Sequence, residues 1–157
     1  TVAANGSHSL WVQDHPDLAA GYNPHFYWDP QYSKGRARLV YKIRLEPGTH
    51  VNCEWRDRAS PYHTGPSLQF QNRAAISRGR KLVDLPENQW ILVEMQTHLG
   101  QANNVWTLRM TLPGGAVHTF KDLTCDPVWK AARWVGFSSS SVGHAAFYLD
   151  DVVMENQ

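Results

Sequence analysis

Two stretches of the chain place polar side chains at alternate positions, a pattern that could hold a ligand by hydrogen bonds. Asn52, Glu54 and Arg56 alternate with apolar residues in the first stretch, and Gln69 and Gln71 do so in the second. Because successive side chains of a β-strand point to opposite faces, each stretch predicts a strand with one buried and one polar face. Carboxylate, guanidinium and amide groups in two such rows suit a ligand that carries many hydroxyl groups. The alternative is that both rows form the solvated face of an antiparallel sheet.

Aromatic residues accompany these polar rows. Tyr62 and His63 lie in the Pro- and Gly-containing connection between the two stretches. Tyr27 belongs to residues 21–32, where five aromatic residues and two prolines predict an irregular or edge segment rather than a central strand. An aromatic ring offers an apolar face to the C–H groups of a sugar and a polar tip to its hydroxyls. We therefore predict Tyr27, Tyr62 and His63 at the rim of a binding surface formed by the two rows.

The same aromatic-rich segment also contains residues suited to the core. Large apolar side chains are usually buried, so we expect Phe26 and Trp28 to close one end of the core. Tyr22 and Tyr32 carry hydroxyl groups, and they remain candidates for contact with a ligand.

Length and composition restrict the class of protein. The chain has 157 residues, 42% of them hydrophobic and 18% charged, which predicts one folded domain over residues 1–157 rather than a disordered chain. Its apolar runs are too short to cross a bilayer, so we expect no membrane-spanning segment. A net charge of +1 argues against a nucleic-acid partner, whose binding depends largely on many cations. The first residues lack a basic and apolar leader, and we expect a mature or excised domain.

Short strands separated by turn residues account for nearly the whole chain. We count about ten of them from the alternation of apolar and polar residues, and only residues 126–132 show weak helical character. This rhythm predicts an all-β fold, an antiparallel two-sheet sandwich or a barrel. The alternation is clearest in residues 36–45, and the Pro47-Gly48 turn after it predicts a hairpin into the stretch that contains Asn52.

The chain contains two cysteines, Cys53 and Cys125, whose pairing the sequence leaves open. A disulfide and two separately buried thiols are equally compatible with the spacing, because separation in sequence does not set the distance between two residues. Two distant thiols do not predict a zinc site.

Four short runs resemble one broad group of β-sandwich domains. The run 147–154, Phe-Tyr-Leu-Asp-Asp-Val-Val-Met, is similar to the closing strand of many carbohydrate-binding modules and of concanavalin-like or laminin G-like jelly rolls. The run 6–12 looks like the start of such domains, and the runs 89–93 and 106–110 resemble their paired central strands. The resemblance covers nearly the whole chain in the rhythm of its strands, and it implies a jelly roll.

What this resemblance implies about function is polysaccharide binding. Domains of this group are secreted and lectin-like, are often covalently linked to a glycan-degrading catalytic domain, and bind a polysaccharide or oligosaccharide on a concave sheet face or at loop tips. We therefore expect an extracellular domain excised from a larger secreted protein. Several such families hold a structural calcium through an acidic residue of the last strand, which makes Asp150 or Asp151 the expected ligand. The alternative is that Asp150 accepts hydrogen bonds from a loop and Asp151 is exposed.

Catalysis on the same fold is an alternative function. A retaining glycoside hydrolase needs two carboxylates about 5–5.5 Å apart, whereas Glu54 and Asp57 are three positions apart and are expected on opposite faces of a strand. A polysaccharide lyase needs a base and a group that neutralises a uronate, which Tyr62, His63 and Arg56 could supply with the two glutamines of the polar rows. The motifs of jelly-roll alginate lyases are absent from the sequence. A laminin G-like protein-interaction domain is the second alternative.

We therefore predict a non-catalytic carbohydrate-binding module, with no catalytic residues. Its predicted ligand-binding residues are Asn52, Glu54, Arg56, Tyr62, His63, Gln69, Gln71 and Tyr27. Because the core of a protein–protein interface is typically depleted of charge, the charged and amide groups of the two rows favour a glycan over a protein partner.

Overall fold

The computed structural model describes residues 2–157, which form twelve β-strands and a short 3₁₀ turn at Pro113–Gly115. The strands are, in chain order, β1 Leu10–Gln13, β2 His25–Trp28, β3 Gly35–Leu45, β4 Val51–Arg56, β5 Thr64–Gln71, β6 Ala74–Ser77, β7 Arg80–Asp84, β8 Trp90–Leu99, β9 Val105–Thr111, β10 Val117–Thr124, β11 Trp134–Ser139 and β12 Ala146–Asn156. In the part of the chain that the structure describes, no helix is long and apolar enough to cross a membrane.

The twelve strands form two antiparallel sheets of six strands each, packed as a sandwich. The first sheet has the strand order β1-β12-β3-β8-β9-β10, and the second sheet has the order β2-β11-β4-β5-β6-β7. The structure therefore confirms the predicted all-β, two-sheet sandwich, which is compatible with a jelly roll.

The core lies between the two sheets and follows the alternation predicted from the sequence. On β3, Leu39, Tyr41 and Ile43 are fully buried, and on β4 Cys53 and Trp55 are fully buried. These side chains belong to one continuous apolar cluster. Burying a large apolar side chain stabilises a fold by about 1.5–3 kcal/mol, so each sheet turns one face inward and leaves its polar residues on the outside.

The predicted hairpin between β3 and β4 is wrong. β3 pairs with β8 and β12 in the first sheet, whereas β4 pairs with β5 and β11 in the second. The connection 46–50 crosses from one sheet to the other, and the hydroxyl of Thr49 lies there within hydrogen-bond distance of the carbonyl oxygens of Glu46 (2.6 Å) and Ala146 (2.8 Å). Alternation fits both arrangements, because a strand buries its apolar face whether the next strand lies beside it or across the core.

The two cysteines are buried and do not form a disulfide. Cys53 lies in the core, where its thiol donates to Sδ of Met95 at 3.7 Å, and Cys125 directly follows β10. Burial disfavours the charged thiolate and raises the pKa of both thiols to about 12. Of the two states that the sequence left open, the structure contains the separately buried thiols.

Residues 126–132, for which the sequence predicted weak helical character, form a single hydrogen-bonded turn. The amide of Trp129 donates to the carbonyl oxygen of Asp126 at 3.1 Å. The side chain of Trp129 is fully buried and packs directly on Gly65 of β5, where a Cβ would collide with its ring. The turn therefore brings an additional large side chain into the core.

Candidate functional site

The two predicted polar rows lie side by side on the outer face of the second sheet. β4 pairs with β5 so that Asn52 is opposite Gln69 and Glu54 is opposite Ser67. These side chains point away from the core, because their neighbours along each strand are the buried ones. The structure thus brings together residues that the sequence placed in two separate stretches.

Arg56, at the end of β4, connects the polar row to two aromatic rings. Its guanidinium carbon lies 4.2 Å from the centre of the Tyr62 ring and 4.2 Å from the centre of the Trp134 ring. Its Nη2 and Nε donate to Oε2 of Glu54 at 2.6 and 2.8 Å. Two rings and a carboxylate therefore hold this guanidinium in one orientation.

A groove of about 390 Å³ opens beside Arg56. It is lined by Tyr22, His25, Arg56, Tyr62, Trp134 and Ser138. Strand β11 lies between β2 and β4, and it turns the small residues Gly136 and Ser138 toward the outer face. The short side chain of Ser138 leaves room in the groove for a ligand.

Aromatic rings on β2 and before it form a series of ring contacts beside the groove. The ring of Tyr27 stacks on Trp134 at a centroid distance of 5.2 Å, and the ring of His25 is parallel to that of Tyr27 at 6.5 Å. Tyr22 meets His25 edge to face at 5.4 Å. Tyr22, Tyr27 and Tyr62 expose 59%, 55% and 49% of their surface, so much of each ring is open to a ligand.

The position of these rings depends on how closely β2 approaches β11. β2 is an edge strand, as the prolines of residues 21–32 predicted, and Phe26 and Trp28 pack against the core, also as predicted. A Cβ at Gly136 would lie 2.6 Å from Cβ of Tyr27 and would collide with the carbonyl oxygen of Phe26. Glycine at this position therefore allows the close approach that brings Tyr27 over β11.

His63 belongs to the loop between β4 and β5, where it contacts Asp57. Its Nδ1 lies 2.7 Å from Oδ2 of Asp57, and its amide donates to Oδ1 of the same carboxylate at 2.9 Å. Burial raises the pKa of Asp57, but hydrogen bonds from His63 and from the amide of Ala59 outweigh burial and hold that pKa below its usual value. The contacts between His63 and Asp57 therefore stabilise the loop that carries Tyr62.

The two predicted glutamines lie farther along the same face. Gln69 contacts both Nε2 of His50, at 2.6 Å, and Oδ1 of Asn52, at 3.2 Å. Gln71, at the end of β5, is not at the groove and instead lines a second cavity of about 480 Å³. The predicted residues therefore divide into a group around Arg56 and a group at the other end of β4.

The predicted calcium ligands, Asp150 and Asp151, contact the N-terminal segment. Oδ2 of Asp150 accepts hydrogen bonds from the amides of Ala4 (2.8 Å) and Asn5 (3.2 Å). Burial raises the pKa of Asp150, but these hydrogen bonds outweigh the effect of burial and hold the pKa below its usual value. Oδ2 of Asp151 lies 2.8 Å from Nζ of Lys42. N–H donors and an ammonium thus occupy oxygens that calcium would need, and the described part of the chain has no group of three His, Cys, Asp or Glu residues suited to a metal. These contacts of Asp150 and Asp151 do not fit a calcium site. Calcium binding by the two residues remains a prediction.

His25, Trp134 and Ser138 line the groove but were not selected from the sequence. A signal was present, because Trp134 and Ser138 alternate with buried residues on either side of an outward-facing glycine. Small residues at outward positions of a strand often mark the close approach of a ligand or of another segment. The sequence did not reveal that β11 lies between β2 and β4.

Comparison with protein-family models and with curated proteins adds no relative to this description. No protein-family model matches the chain, and no curated protein matches it. The assignment of a function therefore depends on the sandwich and on the geometry of the groove.

Proposed function

We propose that the chain is a non-catalytic carbohydrate-binding module that holds a polysaccharide on the outer face of the second sheet. The observation that carries this proposal is Arg56, whose guanidinium contacts the rings of Tyr62 and Trp134 beside an open groove. A sugar combines apolar C–H faces with hydroxyl groups that donate and accept hydrogen bonds. Exposed rings and a fixed charged pair offer partners for both kinds of surface at one place.

The pair of Arg56 and Glu54 can bind two neighbouring hydroxyl groups at once. Arg56 uses Nε and Nη2 to bind Oε2 of Glu54, and its Nη1 carries two further N–H donors. Oε1 of Glu54 has only a long contact, at 3.5 Å, with the hydroxyl of Ser67. Nη1 and Oε1 are therefore suited to act as donor and acceptor for adjacent hydroxyls. Each such bond contributes about 1–3 kcal/mol, which gives a modest affinity for a few contacts.

The distribution of charge favours a neutral polysaccharide over an acidic one. Arg56 is paired with Glu54, and near the same end of the face the charges of Arg58 and Arg133 are balanced by those of Asp29 and Asp57. A guanidinium whose charge is already balanced by a carboxylate attracts an acidic ligand less strongly, because Glu54 repels a second carboxylate brought to Arg56. We therefore assign the site to neutral sugars.

The setting that we propose follows the resemblance of the final strand to those of carbohydrate-binding modules. The chain would be part of a secreted protein and would be covalently linked to a polysaccharide-active catalytic domain. Linkage raises the effective concentration of the catalytic domain at its substrate, so a binding site of modest affinity is sufficient for this role.

The proposal is tested with a panel of neutral and acidic polysaccharides. Affinity electrophoresis measures retention by soluble polysaccharides, and pull-down measures binding to insoluble ones. Release of reducing ends and of unsaturated products is assayed in parallel. Retention by a neutral polysaccharide without new ends or unsaturation would support a binding module. New ends or unsaturated products would make the chain a hydrolase or a lyase, and no retention at all would favour a protein-interaction domain.

A further inference from the structure

The polar row of β4 continues past the groove to the other end of the strand. Arg56, Glu54 and Asn52 share the outer face with His50, whose ring lies beside Gln69 on that face. Because a strand advances about 3.3 Å per residue, the row from Arg56 to His50 is about 20 Å long. A row of that length is longer than one sugar ring and can accommodate several linked sugar units.

Gln69 joins the middle of this row to its far end. Its Nε2 lies 2.6 Å from Nε2 of His50 and donates to Oδ1 of Asn52 at 3.2 Å. An amide nitrogen is a donor only, so Nε2 of His50 accepts, and the proton of the neutral ring is on Nδ1. Burial lowers the pKa of His50 and so favours this neutral ring. The row therefore contains two groups of oriented side chains, Arg56 with Glu54 at one end and Asn52, Gln69 and His50 at the other.

The second cavity lies at the far end of the row. It has a volume of about 480 Å³, and its polar lining includes His50, Gln71 and Arg73. Pro86 and Val142, which are not buried, add apolar surface to the same cavity. Like the groove, this cavity combines apolar surface with convergent donors and acceptors, which is typical of ligand sites. His50 belongs both to the cavity and to the row.

We propose that the ligand is an internal stretch of an unbranched polysaccharide chain that lies along β4 and occupies the groove and the second cavity together. This inference rests on the proposed function and adds to it the length and the path of the ligand. The ring of Trp134 would contact one part of the chain, and Gln71 and Arg73 would contact another. An open row of contacts does not require a chain end, so the polysaccharide would continue past both sites.

The test uses isothermal titration calorimetry with oligosaccharide ladders of cellulose, xylan, mannan and laminarin, each from the disaccharide to the hexasaccharide. For a ladder that binds, we expect the affinity to increase about tenfold between the disaccharide and the hexasaccharide. That increase corresponds to one or two hydrogen bonds gained as the chain reaches the second cavity.

Substitutions at the two ends separate the contributions of the two sites. Trp134→Ala is expected to weaken the binding of every length, whereas Gln71→Ala should weaken the hexasaccharide by about threefold to tenfold and leave the disaccharide unchanged. Gln96→Ala is the matched control, because Gln96 is an outward-facing glutamine of β8 in the first sheet. Thermal melting establishes that each variant is folded.

The outcomes distinguish this inference from the proposed function. If the affinity is already maximal with the disaccharide, or if Gln71→Ala binds the hexasaccharide as tightly as the unaltered chain does, the ligand does not extend along β4. The inference is then wrong, while the polysaccharide site at Trp134 stands. If the chain binds none of the ladders and none of the polysaccharides, the proposed function fails and the inference fails with it.

Discussion

Arg56 and Trp134 are directly opposite each other on neighbouring antiparallel strands, and the guanidinium carbon of Arg56 lies 4.2 Å from the centre of the Trp134 ring. The same carbon is equally close to the centre of the Tyr62 ring. The rings restrict the plane of the guanidinium, and the ion pair with Glu54 restricts its rotation within that plane. The direction of the donors that remain for a ligand therefore depends on the aromatic residues as well as on the ion pair.

Trp134→Ala is expected to lower the affinity for a retained neutral polysaccharide by about fivefold to seventyfold. The variant loses the ring that packs between Arg56 and Tyr27, and with it an aromatic contact and a cation–π contact that together contribute roughly 1–2.5 kcal/mol. Affinity electrophoresis measures the change. The control is Trp11→Ala, which removes a tryptophan that is 56% exposed on β1 of the first sheet. An equal loss in both variants would show that exposed tryptophans bind the polysaccharide without regard to the site.

Glu54→Gln is expected to change the class of glycan that binds. The change leaves Arg56 without its anionic partner, so a carboxylate on the ligand can take that place. We expect retention by polygalacturonate to appear and to decrease with added salt, because the new attraction is between charges. In the control Glu94→Gln, Arg38 keeps its second carboxylate, Glu155, at 2.9 Å, and we expect no such gain. Unchanged retention in Glu54→Gln would contradict the proposed basis of selectivity.

Gly136→Ala is expected to lower the free energy of unfolding by about 1–3 kcal/mol, the usual cost of adding a methyl group where there is no space. The added Cβ would lie 2.6 Å from Cβ of Tyr27 and would force β2 away from β11. Urea unfolding measures the loss, and the same shift should weaken polysaccharide binding. Gly21→Ala is the control, because a Cβ at Gly21 meets no atom within 4 Å. Equal stability of the two variants would contradict the close approach.

Asp57→Asn is expected to make the chain less sensitive to acid. The pKa of Asp57 in the folded chain is below its ordinary value of 3.8, so the unfolded chain takes up a proton more readily as the pH falls. The stabilisation is therefore complete well above pH 3.8 and is lost as the pH falls toward the pKa of the folded chain. Asp29, Glu94 and Asp150 have pKa values lowered in the same direction.

Urea unfolding at neutral pH and at about pH 3 measures this effect. At neutral pH the asparagine variant should lose about 1–3 kcal/mol, because two amides and His63 lose a charged acceptor. Its stability should then decrease less between the two pH values than that of the unaltered chain. Asp17→Asn serves as the control, since the side chain of Asp17 is 88% exposed. The same pH dependence in all three proteins would contradict the role of Asp57.

The strands of the fold could be predicted from local alternation, but their partners could not. Leu39, Tyr41 and Ile43 alternate with polar residues, which is sufficient to identify β3 and its buried face. The same pattern recurs in β4, and an apolar face packs equally well against a neighbour in the same sheet or against the opposite sheet. The crossing at Thr49 depends on contacts with Ala146, a residue far away in the sequence.

In the candidate site, too, residues on strands that are adjacent in sequence could be brought together by prediction, whereas residues on distant strands could not. The rows that contain Asn52 and Gln69 were expected to form one surface, and they lie on one face because β4 and β5 follow each other and pair directly. Tyr27 and Trp134 are distant from both in the sequence, and they reach the site because β2 and β11 join the same sheet. The groove therefore could not be assembled from the pattern of any one stretch.

Cys53 lies on β4 directly behind the polar row, with its thiol in the core and no exposed surface. A buried thiol with a pKa of about 12 does not react with alkylating reagents while the two sheets are closed over it. Alkylation of Cys53, followed by mass spectrometry, thus reports how often β4 separates from the first sheet. Because a ligand that binds only the folded chain makes that separation rarer, a bound polysaccharide would slow the reaction. The chain thus contains its own reporter of occupancy, which requires no dye or tag.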